Sequence, residues 1–106
     1  MTVMTRQLGT EEIDAAFKAL ASEPRRTILR LLAKCTAGSG SRCAVTDEVC
    51  ACKISEALSL APSTISHHMT VLRNAGLVSA RKEGTWVHYT LQRGAIRQVA
   101  SELLDF

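Results

Sequence analysis

Two short helical patterns joined by a tight turn, followed by two strand-like runs around a polar turn, predict a mainly α-helical fold with a small β-hairpin wing, a winged helix-turn-helix. The chain has 106 residues, the size of one domain. Only 4% of the residues are aromatic and 46% are hydrophobic, so the core must be built from Leu, Ile, Val and Ala. The formal net charge of +3 permits nucleic-acid binding without requiring it.

The first nine residues show no hydrophobic periodicity and are predicted to be a flexible arm (residues 1–9) ahead of the domain (residues 10–106). Thr10 stands before two glutamates, and a hydroxyl followed by acidic residues is typical of a helix N-cap. The first helix is therefore predicted to start there. Its apolar face comprises Ile13, Ala16, Phe17 and Leu20.

A second helix is predicted to begin around Pro24, because proline suits the first turn, and to end near Lys34. Arg25 and Arg26, near its start, are expected to contact phosphate or, preferably, to be solvated. The segment from residue 36 to residue 42 is rich in Gly and Ser and is predicted to be a flexible linker. A short third helix is predicted over residues 49–58, followed by a tight turn.

The fourth helix is predicted to open at Pro62 and to close at Gly76. Its buried stripe comprises Ile65, Met69 and Leu72. The polar side should face DNA and carries Ser63, Thr64, Ser66, His67, Thr70 and Arg73. A plain helical hairpin with a solvated face is the alternative.

The wing is predicted from two strand-like runs, residues 77–80 and 86–91, with a glycine-containing turn at residues 82–85. Arg81 and Lys82 lie near its tip, where they could reach the DNA backbone or a minor groove. Trp86 and Tyr89 are expected to pack beneath the wing.

A last helix over residues 94–104 has an apolar stripe. The stripe could pack on the chain's own core, but in so small a domain we favour pairing of the first and last helices across a dimer axis. A homodimer would set two recognition helices about 34 Å apart, one turn of double-stranded DNA. The stripe consists of Ile96, Val99, Ala100, Leu103 and Leu104.

The sequence lacks the apolar run of a secretory signal and of a membrane span, which predicts a cytoplasmic protein without a membrane partner. In that reducing compartment its four cysteines favour metal binding or redox chemistry over a structural disulfide framework. They are Cys35, Cys43, Cys50 and Cys52.

Three segments carry a resemblance to a known family: AFKALASEPRR (residues 16–26), STISHH through LRNAGLV (residues 63–78) and RKEGTWVHY (residues 81–89). They resemble the ArsR/SmtB family of metal-responsive winged-helix repressors, over about residues 13–106. The resemblance implies a homodimer that holds operator DNA when free of effector and releases it when an inducer binds.

The segment Glu48-Val49-Cys50-Ala51-Cys52 is similar to the family's Glu-Leu-Cys-Val-Cys signature before the recognition helix. The resemblance implies that Cys50 and Cys52 sense arsenite, antimonite, cadmium or lead as thiolates. Where the arsenic-sensing pattern often has a third cysteine, this chain has Ser55. Other members bind zinc at the last helix, but here that helix has no histidine, so no such site is expected.

Thiolates select soft ions, and a three-sulfur shell suits As(III) and Sb(III). On a regular helix residues two apart point about 200° apart, so Cys50 and Cys52 can share one ion only if the backbone there is irregular or becomes so on binding. We therefore expect ion binding to distort the first turn of the third helix. Cys43, on the linker, is the preferred third ligand. Cys35 is the second candidate, although its position is more typical of a buried small hydrophobe, and a partner-subunit cysteine is a further alternative.

The resulting prediction is a DNA-binding repressor, not an enzyme, that needs no cofactor and is released by As(III) or Sb(III). Sensing of Cd, Pb or Zn, or of thiol oxidation, on the same scaffold is the first alternative. A small thiol or metal-buffering protein is the non-regulatory alternative.

Overall fold

The computed structural model describes residues 9–36 and 49–106, the side chains of residues 35 and 36 excepted. The strands of this part form one antiparallel sheet in the order β1-β3-β2. None of its helices has the length and apolar character needed to cross a membrane. The elements are α1 (Thr10–Leu20), α2 (Glu23–Thr36), β1 (Val49–Cys50), α3 (Ala51–Leu58), α4 (Pro62–Asn74), β2 (Val78–Glu83), β3 (Trp86–Leu91) and α5 (Arg93–Leu104).

The core lies where the first four helices meet the inner face of the sheet. Its largest fully buried side chains are aliphatic or thioether groups, as the composition predicts. The predicted buried stripe of α4 is confirmed, since each of its three members is at most 2% exposed. The fully buried set comprises Ile28, Leu32, Ile54, Ile65, Met69, Leu72 and Leu77.

The predicted N-cap of α1 is wrong by one residue. Gly9 is the N-cap, and its backbone N–H donates to Oε1 of Glu12 at 2.7 Å. Thr10 is the first helical residue. The Glu12 carboxylate thus accepts from the N-cap amide, whereas glycine has no side chain to accept from the amides of the first turn.

Arg25 and Arg26 contact the end of α1. Nε of Arg25 donates to the carbonyl of Ala19 at 2.8 Å, and Nη1 of Arg26 donates to the carbonyl of Leu20 at 2.6 Å. These cations satisfy carbonyls at the negative end of the α1 dipole. The expectation of phosphate contacts or solvated side chains missed this role.

His68 ties α4 to α2, because its Nδ1 lies 3.2 Å from Nη1 of Arg25. Burial lowers the pKa of His68, and the charges of Arg25 and His67 act in the same direction. The imidazole is therefore held neutral, with Nδ1 free to accept from the guanidinium.

The turn between α3 and α4 is closed by hydrogen bonds. Ser59 adopts a left-handed conformation with φ 56°, and its N–H donates to the carbonyl of Glu56 at 3.3 Å. The N–H of Leu60 reaches the carbonyl of Ser55 at 3.3 Å, while Oγ of Ser55 donates to the carbonyl of Leu60 at 2.6 Å. This is a Schellman closure with serine where glycine is usual.

The wing differs from its prediction in length. Strand β2 continues to Glu83, so the turn contains only Gly84 and Thr85, with φ 62° at the glycine. Arg81 and Lys82 consequently lie within the strand, opposite His88 and Val87.

The predicted start of the third helix at Val49 is wrong. Val49 and Cys50 form strand β1, with Val49 opposite Tyr89 and Cys50 opposite His88 of β3. Val49 is β-branched and only 2% exposed, and it packs against the core from the sheet. Helix α3 begins at Ala51.

Helix α5 is covered only in part. Val99 is buried, and Nη2 of Arg93 donates to the carbonyl of Ala33 at 3.2 Å. At the other end Leu103, Leu104 and Phe106 are 52%, 86% and 94% exposed. The second half of the predicted apolar stripe thus has no cover within the described chain.

Candidate metal centre and nucleic-acid interface

The two thiols meet at the junction of β1 and α3. Cys50 ends the strand and is the N-cap of the helix, with an extended backbone of φ −69° and ψ 144°, and Cys52 follows in the first helical turn. Because Cys50 is not helical, its side chain does not follow the helical spacing. Its Sγ lies 3.1 Å from Sγ of Cys52. The backbone at Cys50 is therefore irregular already, the first of the two predicted alternatives, and the sulfurs approach each other without distortion of the helix.

Both cysteines are free thiols, Cys50 half-buried and Cys52 exposed. Two sulfurs bound to one ion at about 2.3 Å each lie about 3.3 to 3.8 Å apart, for angles between about 90° and 109° at the ion. The observed separation of 3.1 Å is thus within a few tenths of an ångström of the bound geometry. The pair can bind a thiophilic ion with little backbone movement.

The Cys52 thiol is held in its protonated form. Its hydrogen bond with Cys50 raises its pKa above the ordinary value, and desolvation and the charges of Cys50 and Glu56 act in the same direction. An ion that binds here must displace a proton from Cys52.

The third predicted ligand, Cys43, lies outside the described residues. The backbone of Cys35 belongs to α2, but its side chain is also outside them. Within residues 9–36 and 49–106, no three His, Cys, Asp or Glu side chains lie close enough to hold a metal ion together. The described part of the site is therefore a two-sulfur site.

A cavity of about 430 Å³ opens beside the thiols. Its lining includes Pro62 and Ile65 at the start of α4 and Trp86 and Val87 of the wing. A group bound to the sulfurs would lie between the recognition helix and the wing.

The predicted DNA-contacting residues are exposed on two elements. On α4 the polar side chains are accessible, although the Thr70 hydroxyl donates to the carbonyl of Ser66 at 2.9 Å. On β2, Nη2 of Arg81 lies 3.3 Å from Oε1 of Glu83, and Lys82 is exposed. The exposed set on α4 is Ser63, Thr64, Ser66, His67, Thr70 and Arg73.

The sheet connects the thiols with the wing. Cys50, His88 and Arg81 are opposite one another on successive strands, so they form one row across the sheet. Nε2 of His88 also lies 3.6 Å from Oε1 of Glu83. Sequence reasoning missed this row because it placed Cys50 in a helix.

The two aromatic residues of β3 differ in their exposure to solvent. Tyr89 is 9% exposed and packs as predicted, whereas the prediction for Trp86 is wrong, since it is 56% exposed.

The family model described as bacterial regulatory protein, arsR family, matches residues 22–80, the helix-turn-helix and the start of the wing. The chain belongs to the ArsR family. Its fold and family are those of DNA-binding transcriptional regulators.

Relatives in the ArsR family include proteins of resistance operons. The chain is 38% identical over 89 residues to an uncharacterized HTH-type transcriptional regulator of Methanocaldococcus jannaschii, covering 84% of this chain and 88% of that one. It is 39% identical over 75 residues to the arsenical resistance operon repressor of Escherichia coli, covering 71% of this chain and 55% of the repressor. It is 28% identical over 91 residues to a cadmium resistance regulatory protein homolog of Staphylococcus aureus, covering 86% and 66%.

Solved structures agree with this ArsR fold. A crystal structure of an ArsR family transcriptional regulator superposes with a TM-score of 0.74 at 17% identity, covering 94% of this chain and 91% of the other. A homodimeric winged helix-turn-helix DNA-binding domain of Mycobacterium bovis gives a TM-score of 0.66 at 28% identity, covering 89% and 77%.

Proposed function

We propose that this ArsR-family protein is a repressor that binds operator DNA as a homodimer and is released when As(III) or Sb(III) binds Cys50, Cys52 and Cys43. The observation that carries the proposal is the position of the thiol pair. Its sulfurs are 3.1 Å apart and open onto a cavity between α4 and the wing. An effector there acts on both elements that would contact DNA.

Thiols and arsenite react without redox chemistry. Each thiol forms one S–As bond, its proton leaves with one hydroxide of As(OH)₃, and one water is released per bond. Three thiols replace all three hydroxides, and two leave one As–OH. Cys43 is the thiol proposed to complete the three-sulfur form, because only seven positions separate it from Cys50 in the sequence.

Two connections couple the thiols to DNA in this proposal. Strand β1 pairs with β3 at Cys50, so movement of Cys50 acts on the wing. Helix α3 packs on α4 and buries Ile54 in the shared core, so movement of Cys52 acts on the recognition helix. Release requires only that the ion bind more tightly to the conformation with lower DNA affinity.

The DNA contacts proposed are the exposed side chains of α4 and, on the wing, Arg81 and Lys82. The hydroxyls and His67 would meet base edges, whereas the cations would meet phosphates. A homodimer is supported by the uncovered end of α5, where Leu103 and Leu104 are 52% and 86% exposed. Sedimentation should show a dimer that Leu103→Asp with Leu104→Asp dissociates, while Ser101→Asp on the same helix leaves it intact.

Cadmium, lead or zinc at the same thiols is a second candidate, favoured by the similarity to a cadmium resistance regulator. X-ray absorption of the arsenite-loaded and cadmium-loaded protein would count the sulfur ligands directly. Three sulfurs in wild type and two in Cys43→Ser would support Cys43 as the third ligand.

The test of function is fluorescence anisotropy with a duplex selected from random sequences by the effector-free protein. Arsenite should release wild type, whereas Cys50→Ser should stay bound at the same arsenite concentration. Cys35→Ser is the matched control and should respond like wild type. Release of Cys50→Ser at wild-type concentrations would overturn the assignment of the thiol pair as the sensor.

A further inference from the structure

Trp86 is the chain's only tryptophan, and its exposure is not explained by packing. It is 56% exposed, whereas Tyr89 on the same strand is 9% exposed. An indole this accessible contributes little to the core.

The strand register brings Trp86 to the thiols. Cys50 is opposite His88 in the antiparallel β1–β3 pair. Strand β1 ends at Cys50, and Trp86 is two residues before His88 on β3, on the same face of that strand. Consistent with this, Trp86 lines the cavity of about 430 Å³ that Cys50 and Cys52 also line.

We propose that Trp86 is a positioning residue of the thiol site, whose indole closes over an effector bound to Cys50 and Cys52 and carries its presence into the wing. The inference rests on the proposed function and adds a residue to it. Aromatic edges favour contact with sulfur, and an indole over the site would exclude water from the thiol–ion bonds. The cavity leaves room for this closure.

The position of Trp86 in the hairpin makes it able to act on the wing. It is the first residue of β3, it follows the two-residue turn, and it is opposite Glu83 of β2. Oε1 of Glu83 in turn lies 3.3 Å from Nη2 of Arg81. Movement of Trp86 would therefore displace the part of the wing that carries Arg81.

A DNA contact is the competing role for an exposed tryptophan on a wing. Trp86 shares its cavity with Pro62 and Ile65 of α4, so part of the indole faces the space between the wing and the recognition helix. Ile65 is 2% exposed, which places this space next to the core. The geometry favours a role at the thiol site over a role on the DNA.

The first experiment uses Trp86 as its own reporter, since there is no other tryptophan. Arsenite titrated into the DNA-free dimer should change the tryptophan emission saturably at one equivalent per subunit. Cys52→Ser should abolish the change. Unchanged emission under conditions where arsenite releases DNA would overturn the proposal.

The second experiment compares Trp86→Ala with Trp86→Phe by anisotropy. Trp86→Ala should raise the arsenite concentration for half-release about two- to tenfold, the range of a lost sulfur–aromatic contact, and Trp86→Phe should restore it. DNA affinity without arsenite should stay within about twofold, because the indole makes no DNA contact in this proposal.

The outcomes distinguish a failure of the proposed function from a failure of the role proposed for Trp86. If wild type is not released by arsenite, the proposed function fails and this inference with it. If wild type is released and Trp86→Ala behaves identically, only the inference fails. A large loss of DNA affinity in Trp86→Ala with unchanged release would make Trp86 a DNA contact, and loss of folding in both variants would assign it to the core; either result overturns the proposal.

Discussion

The two ends of α3 are built in opposite ways. At the front, Cys50 has an extended backbone, its side chain does not cap the backbone N–H groups of the helix, and it stands with Cys52 beside an open cavity. At the back, the N–H groups of Ser59 and Leu60 are bonded into the helix, and Oγ of Ser55 donates to Leu60. The front end can take a new partner, whereas the back end is already closed by hydrogen bonds.

This difference assigns a role to each end. Helix α3 has eight residues, so its ends are only about 12 Å apart. A displacement at the thiols reaches the turn before α4, where the closed hydrogen bonds leave little freedom to absorb it. We therefore expect changes at the front to alter effector response, and changes at the back to alter stability and the transmission of that response.

The largest expected effect concerns pH at the front end. Because the pKa of Cys52 is raised, a divalent ion must displace its proton, and lower pH must weaken binding. We expect the Kd for Cd²⁺ to rise about tenfold per pH unit from this proton alone, about 100-fold from pH 8 to pH 6. Arsenite, which takes up thiol protons as water, should bind almost equally across this window.

Competition with a chelator at pH 6, 7 and 8 would measure the cadmium affinity, and Cys52→Ser should show a shallower slope. Equal pH dependence for arsenite and cadmium would contradict the proton balance given above.

At the back end, Ser55→Ala should destabilise the fold by about 1 kcal/mol, because the part-buried hydrogen bond to the Leu60 carbonyl is lost. It should also raise the arsenite concentration for DNA release, since the turn can then absorb movement of α3. Urea unfolding and anisotropy would measure the two effects. Ser101→Ala, exposed on α5, is the matched control. An unchanged stability would show that this hydrogen bond does not hold the turn.

Ser59→Gly should stabilise the protein by about 0.5 to 1 kcal/mol, because glycine removes the cost of a left-handed φ of 56°. The opposite change, Gly76→Ala at φ 80°, should destabilise by about the same amount. Thermal or urea unfolding of the pair would measure both. If Ser59→Gly were neutral or destabilising, the serine side chain would have to contribute to this turn.

The smallest effect should be on stability at the front end. Cys52 is exposed, so Cys52→Ser should change the free energy of unfolding by less than about 0.5 kcal/mol. The same variant should lose the effector response. If Cys52→Ser lost as much stability as Ser55→Ala, both ends of α3 would contribute to stability, and the proposed difference between them would be wrong.

The sequence predicts elements that are specified by local signals, but not those that depend on distant pairing. Helix α4 was predicted because Pro62 and Gly76 mark its ends and its buried stripe repeats over 13 residues. Strand β1 was not, because it has two residues and exists by pairing with β3, about 40 positions away. The thiol geometry depends on that pairing, so the sequence could single out Cys50 and Cys52 as candidate ligands but could not predict their arrangement.

Two further differences have the same origin. The hydrogen bond of Arg25 to His68 spans 43 positions and has no local signal. Trp86 belongs to a run that is typical of a packed strand, and only the tertiary position of the cavity leaves it exposed.

If the protein works as proposed, the 3.1 Å separation of the sulfurs would also set how fast it changes state. Once one thiol has captured an effector, the second is already within reach, so ring closure needs no unwinding and should be fast compared with the encounter. Dissociation requires both bonds to open before either reforms, which lengthens the residence time. Induction would then begin at the rate at which effector arrives, and repression would return long after the free effector has gone.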